Sequence, residues 1–398
     1  MNYIAERAQL RQTQLVELIE EACRHIEPSE SQRELAKQRY EGVGAWLARS
    51  DDWLLANIEI RLQGSVAIGT AVKPIGSLEH DVDLVAHVPD VEVAISPALL
   101  KQRIGDRLRA NGKYAPLLKE MPRCWRLDYA GEFHLDITPS IPNPECRLGG
   151  ELVPDKTLKD WKASNPLGYR TKIERRAAIQ PRIRLIAKAA DSAMAERQVE
   201  PFPENKHLKG LLRRTVQIAK RHRDIEFIDD KDGLAPLSII ITTLVSRAYE
   251  FCARSREYDH ELALIVDVLE WMPNTIEQRV VGGRTEWYLW NQTTAGENFC
   301  EKWNKHPERA VAFFDWHAKL VNDVKQLAAA QGFDALRRLL VNVVGSRPAN
   351  MVMDSLTEQV SVARNAGRLS VTKPAGLIIG SAASATSVRA NTFFGDRL

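Results

Sequence analysis

A chain of 398 residues with 44% hydrophobic and 27% charged residues has the make-up of a folded soluble protein, which speaks against a disordered chain or a membrane protein. That length suits one large bilobed unit or two domains about a cleft, because single cores stop growing at roughly 250–300 residues. A formal net charge of +3 excludes a molecule that is basic all over, so any site for anions is local.

No stretch reaches the roughly 18 consecutive apolar residues that a spanning helix needs. The longest candidate, Leu237 to Val245, is interrupted by Ser238, Thr242 and Thr243. The opening MNYIAERAQLRQTQ is charged from its sixth residue and has no apolar core, so it does not read as a secretion signal and a cytoplasmic protein is expected. Cys23, Cys124, Cys146, Cys252 and Cys300 are odd in number and far apart, which points to reduced thiols rather than a disulfide framework or zinc knuckle.

Apolar residues recur at helical spacing from Glu6 to about His25 and again from Ser31 to Leu47, which predicts two helices or one kinked at Pro28. Ile58, Ile60 and Leu62 alternate with Glu59, Arg61 and Gln63 as in a half-buried strand. Residues 64–79 contain Gly64, Gly69, Pro74 and Gly76 and are predicted as turn and loop. A strand over Asp81 to Val88 follows, then a helix over 96–112 stopped by Gly112. Cys124–Tyr129 and Glu132–Pro139 form a predicted hairpin turning at Ala130-Gly131.

Beyond Pro144 the predicted elements are helices: Lys172 to Met194, Lys206 to Arg223, Leu237 to Ser255, His260 to Met272, Pro307 to Gln331 and Phe333 to Val343. The expected organisation is therefore α+β: N-terminal helices and a mixed sheet over 1–145, a helical lobe over 146–375, and a flexible tail rich in Ser, Ala and Gly over 376–398.

Asp81 and Asp83 lie at i and i+2 on a strand, so both carboxylates leave the same face about 7 Å apart along the chain. On the later strand Phe133, Leu135 and Ile137 share one face, which leaves Asp136 on the other with His134 and Thr138. Three aspartates meet the demand of phosphoryl transfer for two magnesium ions roughly 3.5–4 Å apart, with manganese as a substitute. Taken alone, D-x-D on a strand also suits a solvated edge. Gly64-Ser65 directly follows a strand, where a glycine lets backbone approach a phosphate and the next N–H and hydroxyl can donate, or it is an ordinary strand-ending turn. Thr70 and Lys73 extend the loop with a hydroxyl and a cation, or belong to the surface.

Together, LQGSVAIGTAVKPIGSLEHDVDLV at 62–85 and HLDITPS at 134–140 resemble the nucleotidyltransferases related to cyclic GMP-AMP synthase and oligoadenylate synthase, and more closely their bacterial anti-phage relatives, the CD-NTases. NPLGY at 165–169, TVQIAKRHRDIEF at 215–227, LSIIITTL at 237–244 and ENFCEKW at 297–303 continue the resemblance. It implies a polymerase-β-like core with a helical lobe closing a bilobed cleft. It makes Asp81, Asp83 and Asp136 the metal ligands and catalytic residues, Ser65 a triphosphate contact, and the Lys220 helix part of the nucleotide cleft; Gly64, Thr70, Arg213 and Ser238 are further candidate nucleotide-binding residues. Nothing in the chain resembles the zinc thumb of the animal DNA sensor, so stable DNA binding is not expected.

Along 206–223, Lys209, Arg213, Gln217 and Lys220 fall on one helical stripe and apolar residues on another, which reads as a cationic face for nucleotide phosphate or as a solvated surface. Arg182, Arg184 and Lys188 could add to it. Trp287, Tyr288 and Trp290 alternate as in an extended segment, to pack or to stack on a base, with Asn291, Glu297 and Asn298 as possible base-edge contacts. His80 and His134 flank the aspartates, more in the manner of hydrogen-bonders to ligands than of ligands.

The favoured reading is a monomeric enzyme that makes a cyclic di- or trinucleotide from ATP and GTP, with an operon-encoded effector or ubiquitin-transfer-like regulator as a possible partner and no membrane association. The same chemistry on an RNA or protein acceptor, and a non-catalytic nucleotide-binding module, are the alternatives.

Overall fold

Pro28 and Ser29 break the N-terminal apolar periodicity. In the computed structural model, helix α1 (Asn2–Ile26) ends before them and α2 (Glu30–Ala48) begins behind a capping box in which Gln32 N donates to Ser29 Oγ and Ser29 N donates to Gln32 Oε1. The structure describes residues 2–76, 80–129, 131, 133–184, 209–372, 376–379 and 386–388.

A seven-stranded mixed sheet is built from β1 (Glu59–Gln63), β2 (His80–His87), β3 (Leu118–Glu120), β4 (Trp125–Tyr129), β5 (Phe133–Pro142), β6 (Glu151–Pro154) and β7 (Trp161–Ser164). Its path is β1-β2-β5-β4-β3, with β6 on β5 and β7 on β6. Strands β2 and β5 run parallel, and the other pairs are antiparallel. The single turn α3 (Gly64–Ala67) follows β1 at once, where plain turn was expected. Helix α4 (Pro97–Arg109) and α2 cover one sheet face: Val43, Leu47, Leu100, Ile104 and Leu108 join Val82, Leu84, Leu127, Leu135 and Ile137 in one buried cluster. Gly105 lets the sheet come close, since a Cβ there would lie 2.3 Å from the Trp125 ring, whose Nε1 donates to Lys101 O.

The rest of the chain is mainly helical: α5 (Pro166–Ala177), α6 (Gly210–Glu226), α7 (Ser238–Ser255), α8 (Glu261–Trp271), α9 (Glu301–Lys305), α10 (Glu308–Ala329), α11 (Phe333–Val344) and α12 (Ser346–Asn365). Among the described residues no helix is long and apolar enough to cross a membrane.

Several expectations need correction. The helix expected over 172–194 instead starts at Pro166, where Asn165 Oδ1 accepts from Gly168 N, and stops at Ala177 ahead of Pro181. Arg182–Ile183 (β8) then pairs with Glu257–Tyr258 (β9), and residues 185–208, with Lys188 and the start of the predicted 206–223 helix, lie outside the described residues. The second half is not purely helical: Glu277–Val281 (β10) and Arg284–Tyr288 (β11) form a hairpin across Gly282-Gly283, both at positive φ. Of the expected tail, Gly376–Ile379 (β13) and Thr386–Ser387 (β14) pair with Leu369–Thr372 (β12), Val388 N donates to Leu369 O, and the remainder lies outside the described residues.

The partition at residue 145 also moves. Strands β6 and β7 extend the sheet beyond it. Leu15, Ile19, Cys23 and Ile26 of α1 belong to the helical core with Leu212, Leu244, Leu264, Phe313 and Val352, because the apolar stripe of α1 faces that lobe and not the sheet. At the α1–α2 break Glu27, 5% exposed, accepts from Arg33, Arg214, Lys209 and Gln217. One buried carboxylate thus balances cations from both lobes. Glu27→Gln leaves those cations undercompensated and is expected to cost roughly 3 kcal/mol of unfolding free energy in urea titration; a loss within experimental error contradicts this role.

Candidate active site

The register of three strands gathers the acidic residues. Asp83 of β2 is opposite Asp136 of β5, and Gln63 at the end of β1 is opposite Asp83 on the other side. Period-2 alternation sends Val82, Leu84, Leu135 and Ile137 into the core, leaving Asp81, Asp83 and Asp136 on the other face. The chain leaves β1 beside the Asp83 carboxylate through Gly64 at φ +67; a Cβ there would sit 2.3 Å from Asp83 Oδ2. Only glycine satisfies both the backbone and the space.

Packing like charges on a screened face has an electrostatic cost. Burial, then Asp136 and Asp81, push the Asp83 carboxyl up to about 6, against the opposing pull of Arg126 and Lys220. Asp81 is the open member, with its side chain 56% exposed, whereas that of Asp136 is 16% exposed. Sequence reasoning missed the nearest cation: Arg126 Nε and Nη2 donate to Asp136 Oδ1 and Oδ2 at 2.6 and 2.7 Å, and Nη2 stands 3.6 Å from Asp81. The signal was available, since the hairpin pairs Arg126 directly with Asp136. Among the described residues no three His, Cys, Asp or Glu groups are gathered closely enough to hold a metal as they stand. The donor set is nonetheless that of a hard cation: all oxygen, in direct register, and carrying mutual repulsion that a cation would relieve.

Above the acids runs the 64–76 loop, closed by Thr70 N donating to Ser65 O. Here the predicted cationic face of α6 requires correction. From Leu212 to His222 almost every side chain is buried, Gln217 and Lys220 included. Arg213 Nε donates to Ile68 O, Lys220 Nζ to Thr70 O, Gln217 Nε2 to Ala71 O and Arg221 Nη1 to Lys73 O, all at 2.9–3.0 Å. The stripe clamps the loop by its carbonyls, and those donors replace water for a buried backbone. Arg213 therefore does not line the cleft. Lys220 does, and burial with nearby Arg223 lowers its ammonium to about 8.

A cleft of about 1150 Å³ opens between the lobes, lined by Gly64, Ser65, Thr70, Asp81, Asp83, Lys220 and Ser238 of the predicted residues, but not by Asp136, which Arg126 holds. Thr70 is 1% exposed, and its hydroxyl has no hydrogen-bond partner among the described residues. Ser238 opens α7 with its Oγ accepting from Arg223 Nη2. The lining also includes residues that sequence reasoning did not single out: Tyr169, Arg170, Arg223, Asp224, Phe227 and Phe299. Asn291 and Glu297 line the cleft too, joined by Asn291 Nδ2 donating to Glu297 Oε2.

Other candidates fall elsewhere. Asn298 spends its side chain on the backbone of Trp287, Leu289 and Cys300. Trp287 packs on Trp303 and Phe314, while Tyr288 and Trp290 stack on each other rather than lining the cleft. Arg182 and Arg184 each pair with Glu257. His134 lies 3.4 Å from Asp128, and the side chain of His80 is outside the described residues.

Residues 14–176 match the Second Messenger Oligonucleotide or Dinucleotide Synthetase domain. The chain is 28% identical over 390 residues to a c-di-GMP synthase of Roseivirga ehrenbergii, covering 96% of this chain and 98% of that protein. It is 26% identical over 395 residues to the cyclic dinucleotide synthase CdnG of Bradyrhizobium diazoefficiens, covering 91% and 90% of the two chains. Its fold is similar to that of the B. diazoefficiens CD-NTase CdnG solved in complex with GTP, with a TM-score of 0.63 at 20% identity over 86% of this chain and 99% of that one. It is also similar to Escherichia coli MS115-1 CdnC with ATP, with a TM-score of 0.56 at 13% identity over 83% and 97%.

The Asp83 environment makes a signed prediction. A carboxyl raised from its usual range adds stability below about pH 4 that is lost as the pH rises through about 6. In EDTA at pH 7.5, Asp83→Asn should therefore stabilise the protein, by roughly 1–3 kcal/mol, and the gain should vanish below pH 4. A destabilised variant at pH 7.5 contradicts the strained triad.

Proposed function

Because this chain belongs to the CD-NTase family of nucleotidyltransferases, we propose that its cleft joins GTP, ATP or both into a cyclic oligonucleotide second messenger. The observation that carries this is Asp83 in direct register with Asp136 and two residues from Asp81 on one face, its carboxyl pushed up by burial and then by both neighbours. The 1150 Å³ cleft exceeds the roughly 300–1000 Å³ usual for one small ligand, in keeping with two nucleotides side by side.

In the proposed reaction a ribose hydroxyl of one nucleotide attacks the α-phosphate of the other. The new O–P bond forms as the bond to the β-phosphate oxygen breaks, pyrophosphate leaves, and the hydroxyl proton passes to a carboxylate of the triad. A second round closes the ring. Asp81, Asp83 and Asp136 would hold two divalent cations, magnesium or manganese, which neutralise the triphosphate and favour ionisation of the attacking hydroxyl. The chain's own contribution is positioning. Gly64 brings backbone against the phosphates, Ser65 and the unpartnered Thr70 hydroxyl donate to them, and Lys220 adds charge while holding the Thr70 carbonyl. Asn291, Glu297 and Asp224, which also line the cleft, offer polar edges to a base.

Likeness along nearly the whole chain to a c-di-GMP synthase and to a cyclic dinucleotide synthase favours a cyclic dinucleotide product, and the first of the two favours guanine in it. The role follows from the family: the product would switch on a separate effector during phage infection, in the cytoplasm. A regulatory partner is in keeping with the E. coli CdnC:HORMA-deltaN complex, a protein of the same fold.

Incubating the full chain with GTP and ATP and magnesium or manganese should give a phosphatase-resistant small product, identified by mass spectrometry. Asp81→Asn and Asp136→Asn should each reduce its formation at least about 100-fold. Gly64→Ala should do the same while leaving the fold intact, since its Cβ displaces the Asp83 carboxylate. Extension of added RNA, with no small product, would contradict the cyclase reading.

A further inference from the structure

Arg126 occupies the position where a cation would be expected to act. Its planar fork meets both oxygens of Asp136 at 2.6 and 2.7 Å, and the same guanidinium lies 3.6 Å from Asp81. Cross-strand register places it there, so the contact is not a chance of side-chain reach. Both partners are largely screened, at 23% and 16% exposure, which makes a bidentate charge-assisted pair stronger than one at the surface. Asp128, the next carboxylate on the same face of β4, is already paired with Lys119 and faces His134. Asp136 and Asp81 are thus the acids this guanidinium serves. Meanwhile Asp81 and Asp83 line the cleft and Asp136 does not.

We propose that Arg126 is a positioning residue that acts as an internal counter-ion: it grips Asp136 while no divalent cation is bound and gives that carboxylate up when one arrives. The proposal rests on the reading of Asp81, Asp83 and Asp136 as the cation site. It follows that the triad is assembled in advance with Asp136 held in the fork, and that this third acid is gained by exchanging one positive partner for another. The guanidinium offsets part of the repulsion among the acids, which allows the sheet to form before metal is present. It also weakens the first encounter with metal, because the Arg126–Asp136 pair must be broken.

Manganese binding to the full-length, nucleotide-free protein, followed by the electron paramagnetic resonance signal of free Mn²⁺, tests this without reference to turnover. Arg126→Gln should bind Mn²⁺ about tenfold more tightly than the wild type, the worth of a lost charge-assisted fork. Arg126→Lys, which keeps the charge and loses the fork, should fall between them. Measured against Asp136→Asn, the gain should be absent in Arg126→Gln/Asp136→Asn. Were Arg126 merely a nearby positive charge, removing it would tighten binding in that double variant as well, and the exchange would be refuted. Unchanged or weaker binding by a folded Arg126→Gln also overturns it. Should the Gln variant not fold, unchanged or weaker binding by Arg126→Lys overturns it equally. If Asp81→Asn leaves wild-type Mn²⁺ binding unaltered, the cation site itself lies elsewhere and the underlying reading fails with it.

Discussion

The parallel pairing of β2 with β5 is the constraint on which the site depends. It is the one parallel pair in an otherwise antiparallel path, and it sets Asp83 level with Asp136 while two-residue alternation brings Asp81 to the same face. A shift of one residue would turn an aspartate into the core and a leucine or valine into the cleft. The apolar faces of the two strands, sealed by α2 and α4, make that slip costly. Hydrophobic burial on one side of the sheet therefore holds carboxylates together on the other, against their own repulsion.

A second layer of constraint holds the loop that covers the acids. Four donors along α6 meet four carbonyls between Ile68 and Lys73, and Lys73 N donates to Ile26 O at the end of α1. Glu27, one residue further on, takes Arg214 and Lys209 from the start of α6 together with Arg33 from α2. The loop is thus fastened from below by its glycine at Asp83 and from above by the helical lobe. Ser65 and Thr70, the groups proposed to face the nucleotide, sit on backbone that the rest of the molecule has already ordered, which would lower the entropy to be lost when a substrate is positioned.

How much of this was legible beforehand depended on range. The D-x-D strand, the Asp136 face and the 124–139 hairpin follow from a period of two, and the helices 237–255, 260–272 and 307–331 from a period near 3.6; these are local patterns, and each is present in the structure. The start of α5 lay in a capping signal, Asn165-Pro166, that apolar periodicity does not register. The Lys209–Lys220 stripe was read correctly as polar and wrongly as a free face. No local pattern says that carbonyls about 150 residues earlier in the chain will come to meet it. The membership of α1 in the helical lobe was hidden for the same reason, since an amphipathic helix announces that it packs but not against what. Arg126 is the intermediate case, accessible from the hairpin register once that register is worked out.

On the proposed reading, three carboxylates assembled in advance and only partly offset by Arg126 and Lys220 carry unresolved charge until divalent cations and nucleotide bind. The most direct measurement of that claim is anomalous diffraction at the manganese edge from crystals grown with Mn²⁺ and a non-hydrolysable GTP analogue. Two peaks shared among Asp81, Asp83 and Asp136, with the triphosphate beside Gly64 and Ser65, are the predicted result. Triphosphate in the cleft with no anomalous density at those carboxylates would contradict it.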